Sequence, residues 1–335
     1  MKKRKTVSLL ASALCTLLVF CACGETAVRY PAEDYVLDLE YKPDFKVLQL
    51  TDVHLGDKDN RKLHYDFMDL TINEAEPDLI AISGDIFTFA GKKLAMEFFD
   101  YMDSHGIPWT LCFGNHDEQC YFSVDWMTDA LNNYGSYCKF RDLQDDDVFG
   151  NSNFAIDLKS DGKTVWQIIM MDSNRYNFGE YTGYDYIKQD QIDWYERLVT
   201  AAADEAGKTV PSLMFFHIPF PEYDNAWNAV KGGGSTAITG EKREHTTAPK
   251  KNSGFFDKIT ELGATKAVSV GHDHQNSLAT EYRGVALCYG VTSTDRIYYD
   301  EDCMGGTLFT LHDDETFDVE LLFHTYDELN EKEAK

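Results

Sequence analysis

FKVLQLTDVH, residues 45–54, is an apolar run that ends in an aspartate and a histidine. Val47, Leu48 and Leu50 make FKVLQL a buried strand, and Thr51-Asp52-Val53-His54 is the turn after it. The pattern then repeats along the chain. RKLHYDFMDLTINEAE (61–76) places Leu63, Phe67, Leu70 and Ile72 roughly at helical spacing. DLIAIS (78–83) reads as a strand, KLAMEFFDYMDSH (93–105) as a helix and IPWTLCF (107–113) as a strand. SVDWMTDALNNYG (123–135) is a short helix stopped at Gly135. This β-α-β-α-β rhythm predicts an α/β fold with a substantially parallel sheet.

The second half opens with SNFAIDL (152–158) and TVWQIIMMD (164–172), which read as a hairpin around Asp161-Gly162. QDQIDWYERLVTAAADEAG (189–207) is the longest helix candidate, stopped by Gly207. SLMFF (212–216) and KAVSV (266–270) are strands separated by a long loop and the short helix NSGFFDKITELG. GVALCYG, GTLFTLH and TFDVELLFH complete the chain as antiparallel strands. With no internal repeat and no interdomain linker, one domain over residues 44–326 with two facing sheets is expected.

The chain has 335 residues, 43% of them hydrophobic and 13% aromatic, enough for a large core and against disorder. Its formal charge of −26 argues against binding nucleic acid or anionic lipid. The first residues have the layout of an export signal: basic MKKRK, apolar TVSLLASALCTLLVF, then CACGE. Phe20-Cys21-Ala22-Cys23 resembles a bacterial lipobox, which predicts a signal over 1–22 and a lipid anchor on Cys23. Cleavage there would remove Lys2, Lys3, Arg4 and Lys5 and no acid, deepening the charge from −26 to −30. Residues 23–43 then read as a polar tether, and 327–335 as a polar tail. The implied place is the outer face of a membrane, held by lipid. Besides Cys23, that mature chain has five cysteines, which rules out a complete internal disulfide set.

Five apolar strands finish in Asp, Asn or His. The endings are Asp52-Val53-His54, Gly84-Asp85, Gly114-Asn115-His116-Asp117, His217 and Gly271-His272-Asp273-His274. In α/β sheets, ligands gather outside the carboxyl ends of strands, so these groups can converge on one crevice. The set resembles the calcineurin-like metallophosphoesterases, which include the purple acid phosphatases. Their pattern runs DxH, GD, GNH[DE], a histidine at a strand end, and GHxH, and it covers residues 44–325 here. The resemblance implies a four-layer α/β/β/α sandwich with two facing mixed sheets. It implies one divalent ion held by Asp52, His54, Asp85 and His274, and a second held by Asp85, Asn115, His217 and His272. Asp85 would bridge them. Two cations about 3.5–4 Å apart can clamp a phosphoryl group in line. The implied reaction is hydrolysis of phosphate mono- or diesters by a metal-bridging hydroxide. Mixed N and O donors suit Mn, Fe, Zn, Ni or Co. His116 would assist at the leaving oxygen, with Asp117 orienting its ring. The purple enzymes carry a ligand tyrosine three positions after the bridging aspartate; here that residue is Thr88, which argues for a divalent pair.

On the substrate side, the loop 220–252 lies between His217 and His272 and is expected to overhang the ions. It carries Tyr223, Trp227 and the cations Lys242, Arg243, Lys250 and Lys251. Asn174, Arg175 and Tyr176 follow another strand end, and Arg175 is a candidate phosphate clamp. The partner is a small phosphoester and the expected state a monomer. A non-catalytic surface binding protein that keeps this fold is the alternative. No GxSxG nucleophile motif supports other ester chemistry.

Overall fold

The computed structural model describes residues 30–143, 145 and 147–333. In chain order the strands and helices are β1 (Val36–Glu40), β2 (Phe45–Leu50), α1 (Arg61–Ala75), β3 (Leu79–Ser83), α2 (Lys92–Ser104), β4 (Trp109–Cys112) and α3 (Val124–Asn132). There follow β5 (Phe154–Ser160), β6 (Lys163–Met170), β7 (Tyr176–Asn177), β8 (Gly183–Tyr184), α4 (Gln189–Ala206), β9 (Ser212–Phe215), α5 (Glu222–Lys231) and β10 (Ala237–Thr239). The last are α6 (Phe255–Leu262), β11 (Thr265–Val270), β12 (Ala279–Tyr282), β13 (Val285–Tyr289), β14 (Gly305–Leu311), β15 (Phe317–Phe323) and α7 (Tyr326–Glu333).

Two mixed sheets result. One has five strands in the order β15-β14-β2-β3-β4, and the other eight in the order β1-β5-β6-β9-β11-β13-β12-β10. Strands β2, β3 and β4 run parallel, as do β6, β9, β11 and β13. All five residues of β3 are buried, as a strand covered on both faces requires. The sheets pack face to face. Phe215 of β9 meets Phe309 of β14 edge-on at 5.7 Å between ring centroids. A polar strut crosses the same layer: the Ser269 hydroxyl of β11 donates to Gln49 Oε1 of β2 at 2.5 Å. Helices cover the outer faces. Met68 and Ile72 of α1 and Phe98 and Phe99 of α2 join the core of the five-stranded side. Trp194, Tyr195 and Leu198 of α4 and Phe255 and Ile259 of α6 cover the eight-stranded side. Helix α4 ends where expected, at Gly207 with φ +68°. The four-layer sandwich expected from the sequence is the fold observed.

The departures lie at the edges. Strand β1 falls inside the segment expected to be a tether, with Val36, Leu37 and Leu39 half-buried and the acids Asp38 and Glu40 exposed. It pairs in parallel with β5 and closes the eight-stranded sheet. The expected polar tail forms α7, whose Tyr326 and Leu329 pack against Phe67, Leu70 and Met304. The long loop 220–252 contains α5 and β10. Cys112, Cys120, Cys138, Cys288 and Cys303 are all free thiols. The export signal and Cys23 lie outside the described residues. No helix among the described residues is long and apolar enough to cross a membrane.

Candidate metal centre

Parallel pairing brings the carboxyl ends of β2, β3 and β4 to one edge, and those of β9 and β11 to another. Backbone bonds then tie the turns together. Asp52 N–H donates to Gly84 C=O at 3.1 Å, His54 N–H to Asp85 C=O at 2.9 Å, and Gly271 N–H to His217 C=O at 3.1 Å. Asp52, His54, Asp85 and His272 sit at φ +54°, +49°, +50° and +76°. Non-glycine residues avoid this region, and such strain clusters at functional sites. The motif glycines are explained by contact rather than flexibility alone. A Cβ on Gly114 would fall 2.3 Å from Asp85 Oδ1, and one on Gly271 would fall 2.1 Å from Thr51 Oγ1.

One donor atom from each of Asp52, His54 and His274 lies within 4.8 Å of the other two. The same holds for Asp85, His217 and His272. All six residues are buried. Each carboxylate has one oxygen anchored by the protein and one turned inward. Asp85 Oδ1 accepts His116 N–H at 2.7 Å, while Oδ2 faces His217 Nε2 at 3.0 Å and His54 Nε2 at 3.6 Å. Asp52 Oδ2 accepts the Thr51 hydroxyl and His272 N–H, both at 3.0 Å. Its Oδ1 lies 3.2 Å from His274 Nε2 and 4.0 Å from His217 Nε2, linking the two triads.

The imidazoles are arranged as ligands. His274 Nδ1 donates to the Tyr298 carbonyl at 2.7 Å and His217 Nδ1 to the Ser83 carbonyl at 3.0 Å. A carbonyl only accepts, so each ring in its neutral form presents its Nε2 lone pair inward. His54 Nε2 and His274 Nε2 face each other at 3.1 Å. Burial pulls the His54 and His272 pKa values down to about 3, which keeps both neutral. Burial raises the Asp52 and Asp85 carboxyls, but the facing imidazoles more than offset this, His274 for Asp52 and His217 for Asp85, and hold both below the usual range. Asn115 Oδ1 is buried with no hydrogen-bond partner. Carboxylates and imidazole nitrogens converging in a dry pocket need positive charge among them, supplied by protons or by metal ions. The residues therefore fit a pair of divalent ions.

Residues 45–276 match the calcineurin-like phosphoesterase family. The chain belongs to that family. It is 32% identical over 284 residues to a protein of Arabidopsis thaliana named probable inactive purple acid phosphatase 14, covering 73% of this chain and 69% of that one. Probable inactive purple acid phosphatase 29 of the same plant is 31% identical, with 74% and 71% covered. Phosphatase DCR2 of Saccharomyces cerevisiae is 27% identical, with 73% and 47% covered. A crystal structure of a dimetal phosphatase from Danio rerio shares the fold at a TM-score of 0.52 and 13% identity, covering 81% of this chain and 94% of that one. With both ligand triads assembled, this phosphoesterase is a metal-dependent hydrolase with a binuclear centre.

Around the ligands, several roles differ from expectation. Thr88, at the place of the purple enzymes' tyrosine, has its hydroxyl 2.8 Å from His54 Nδ1. It supports a ligand from behind. Asp117 does not orient the His116 ring. Its carboxylate accepts Phe87 N–H at 2.9 Å and Gly114 N–H at 2.8 Å, fastening two ligand-bearing turns together. The His116 ring is held instead by Gln119, with Nδ1 2.9 Å from Oε1, and stands edge-on to His54 at 4.9 Å between centroids. Asp117→Ala leaves two buried amides unpaired, so a loss of about 2–5 kcal/mol in denaturant unfolding is expected. An unchanged midpoint would remove Asp117 from this fastening role.

Tyr223 is not on the substrate side. It is buried in the core, its hydroxyl donating to the carbonyls of Val268 at 3.0 Å and Cys288 at 3.2 Å. Asn174 is buried, its amide donating to Tyr186 C=O and Gln191 Oε1, but it lines the same cavity as Arg175. The basic run of the 220–252 loop is largely paired. Arg243 binds Asp300 and Asp302, Lys242 lies 3.8 Å from Asp224, and Lys251 donates to the Tyr186 hydroxyl. Arg175 does line a cavity of about 340 Å³ beside Gly114, where it is ion-paired with Glu118. Tyr176 shares that wall, and its hydroxyl accepts the Asn115 amide at 3.2 Å. The supports Tyr298, Tyr184 and Gln119 were missed in the sequence, where they carry no motif.

Proposed function

We propose that the chain hydrolyses small phosphate mono- or diesters, with the leaving group lodged in the cavity walled by Phe149, Arg175 and Tyr176. The observation that carries this is the convergence of inward imidazole nitrogens, the unpartnered Asn115 oxygen and two anchored carboxylates on one buried point. When bound, the ion pair supplies Lewis-acid stabilisation of the transferring group and activates water near neutral pH. Asp85 and Asp52 would hold the ions through their inward oxygens. His116 is partly exposed beside His54 and is placed to give a proton to the departing oxygen. Arg175 exchanges its Glu118 partner for two phosphate oxygens when substrate enters, a bidentate contact suited to guanidinium.

The envelope location follows from the lipobox-like Cys23, with the chain acting on the outer face of the membrane as a monomer. The acidic surface keeps nucleic acid from being its partner. The second reading, a binding protein without turnover, is favoured by the word "inactive" in the names of three relatives. Hydrolysis of p-nitrophenyl phosphate and of its bis ester separates the two. Turnover with Mn²⁺ that is lost on chelation is expected. No turnover of either ester with two ions bound would establish the binding reading.

A further inference from the structure

The β7–β8 hairpin belongs to neither main sheet. The tyrosines of its two strands, Tyr176 and Tyr184, stack on each other at 5.4 Å between centroids, and each then reaches a different ligand. The Tyr176 hydroxyl takes the Asn115 amide, leaving Oδ1 as the inward atom. The Tyr184 ring stands at 87° to the His272 imidazole, 4.4 Å away. His272 Nε2 is buried without a hydrogen-bond partner, while Nδ1 lies 3.3 Å from His217 Nε2. Tyr184 therefore packs against a ring whose Nδ1 lies beside His217 Nε2. The other triad is held from elsewhere: His54 by Thr88, and His274 by the Tyr298 carbonyl and a parallel ring 4.2 Å away.

From this division we infer that the β7–β8 hairpin is a clamp for one of the two ions, the one shared by Asp85, Asn115, His217 and His272. Tyr176 and Tyr184 are positioning residues for its ligands and leave the Asp52–His54–His274 position untouched. The inference rests on the binuclear reading above. The asymmetry has a functional consequence. Tyr176 and its neighbour Arg175 also wall the cavity proposed for the leaving group. Any substrate that displaces this wall acts on the Asn115 amide, so occupancy of the cavity and affinity for the second ion are linked. Linkage of this kind is reciprocal.

The test is stepwise binding of Mn²⁺ to the chelator-stripped full chain, followed by calorimetry, with electron paramagnetic resonance reporting a spin-coupled pair. Two ions are expected in the wild type. Tyr176→Phe removes one oxygen atom. It should keep the first ion at wild-type affinity and bind the second about 10- to 100-fold more weakly, the usual cost of losing a residue behind a ligand. Tyr184→Leu should do the same. In an Asp52→Asn background, which retains only the clamped position, Tyr176→Phe should weaken the remaining ion by the same factor. In an Asn115→Ala background it should have no effect. Two ions at unchanged affinity in both single variants would overturn the clamp, as would equal weakening of both ions. A wild type that takes up no pair would instead overturn the underlying binuclear reading.

Discussion

Asp85→Asn should lower kcat/KM by about 10⁴-fold or more, and ion content should fall from two per chain to one. The magnitude follows from the several kcal/mol that a two-ion clamp contributes, each 1.36 kcal/mol being tenfold in rate. The geometry says why so small a change is so damaging. Asp85 Oδ1 is fixed by His116 N–H, so an amide oxygen can replace it there without moving the side chain. The amide NH₂ then takes the place of Oδ2, facing His217 Nε2 at 3.0 Å and His54 Nε2 at 3.6 Å. A donor with no lone pair stands where both ions need a shared anion. Asp85→Glu offers no rescue, because the Gly114 backbone lies against the carboxylate and leaves no room for another methylene. Metal analysis and steady-state turnover on p-nitrophenyl phosphate check this together. Turnover within tenfold of wild type, with two ions retained, would show that Asp85 does not bridge.

The sequence showed the ligands more clearly than their surroundings, and the reason is physical. Asp52, His54, Asp85, Asn115, His217, His272 and His274 each follow an apolar strand, and parallel pairing converts that one-dimensional regularity into convergence. What supports them obeys no such rule. Tyr298 reaches His274 through a backbone carbonyl, which any residue possesses, so the chain gives no sign of it. Thr88 was visible only as a missing tyrosine, yet its hydroxyl does the work of orienting His54. Asp117 was assigned to its sequence neighbour His116. In the fold its oxygens face backward to Phe87 and Gly114, because a carboxylate in a turn meets amides more readily than a side chain. Tyr223 was assigned to a loop that contains a helix, and its hydroxyl is what lets an aromatic ring be buried against two strand carbonyls. Strand β1 was missed because its outward residues Asp38 and Glu40 resemble a polar leader, as an edge strand's exposed face should.

Stripping the ions should destabilise the fold as well as silence it, and the size of that effect should depend on pH in a defined direction. At a thousandfold excess over its dissociation constant, each ion adds about 4 kcal/mol, or roughly 6 °C in Tm for a chain this large. Without cations, protons take their place. Burial pulls His217 down, but Asp85 beside it more than offsets this and pushes its pKa up to about 9, from an ordinary 6.5. A raised histidine stabilises the metal-free fold fully below pH 6.5, and that contribution disappears as pH climbs through about 9. The ions require the same nitrogen deprotonated, so their apparent affinity rises over the same window, about tenfold per pH unit for a single displaced proton. Both trends act together: the gap in Tm between loaded and stripped protein should be narrowest near pH 6 and widen steadily toward pH 8.5. Calorimetric scans with Mn²⁺ and with chelator at three pH values measure it. A gap that stays constant or narrows would mean that His217 does not exchange a proton for an ion, and that the second position is built from other groups.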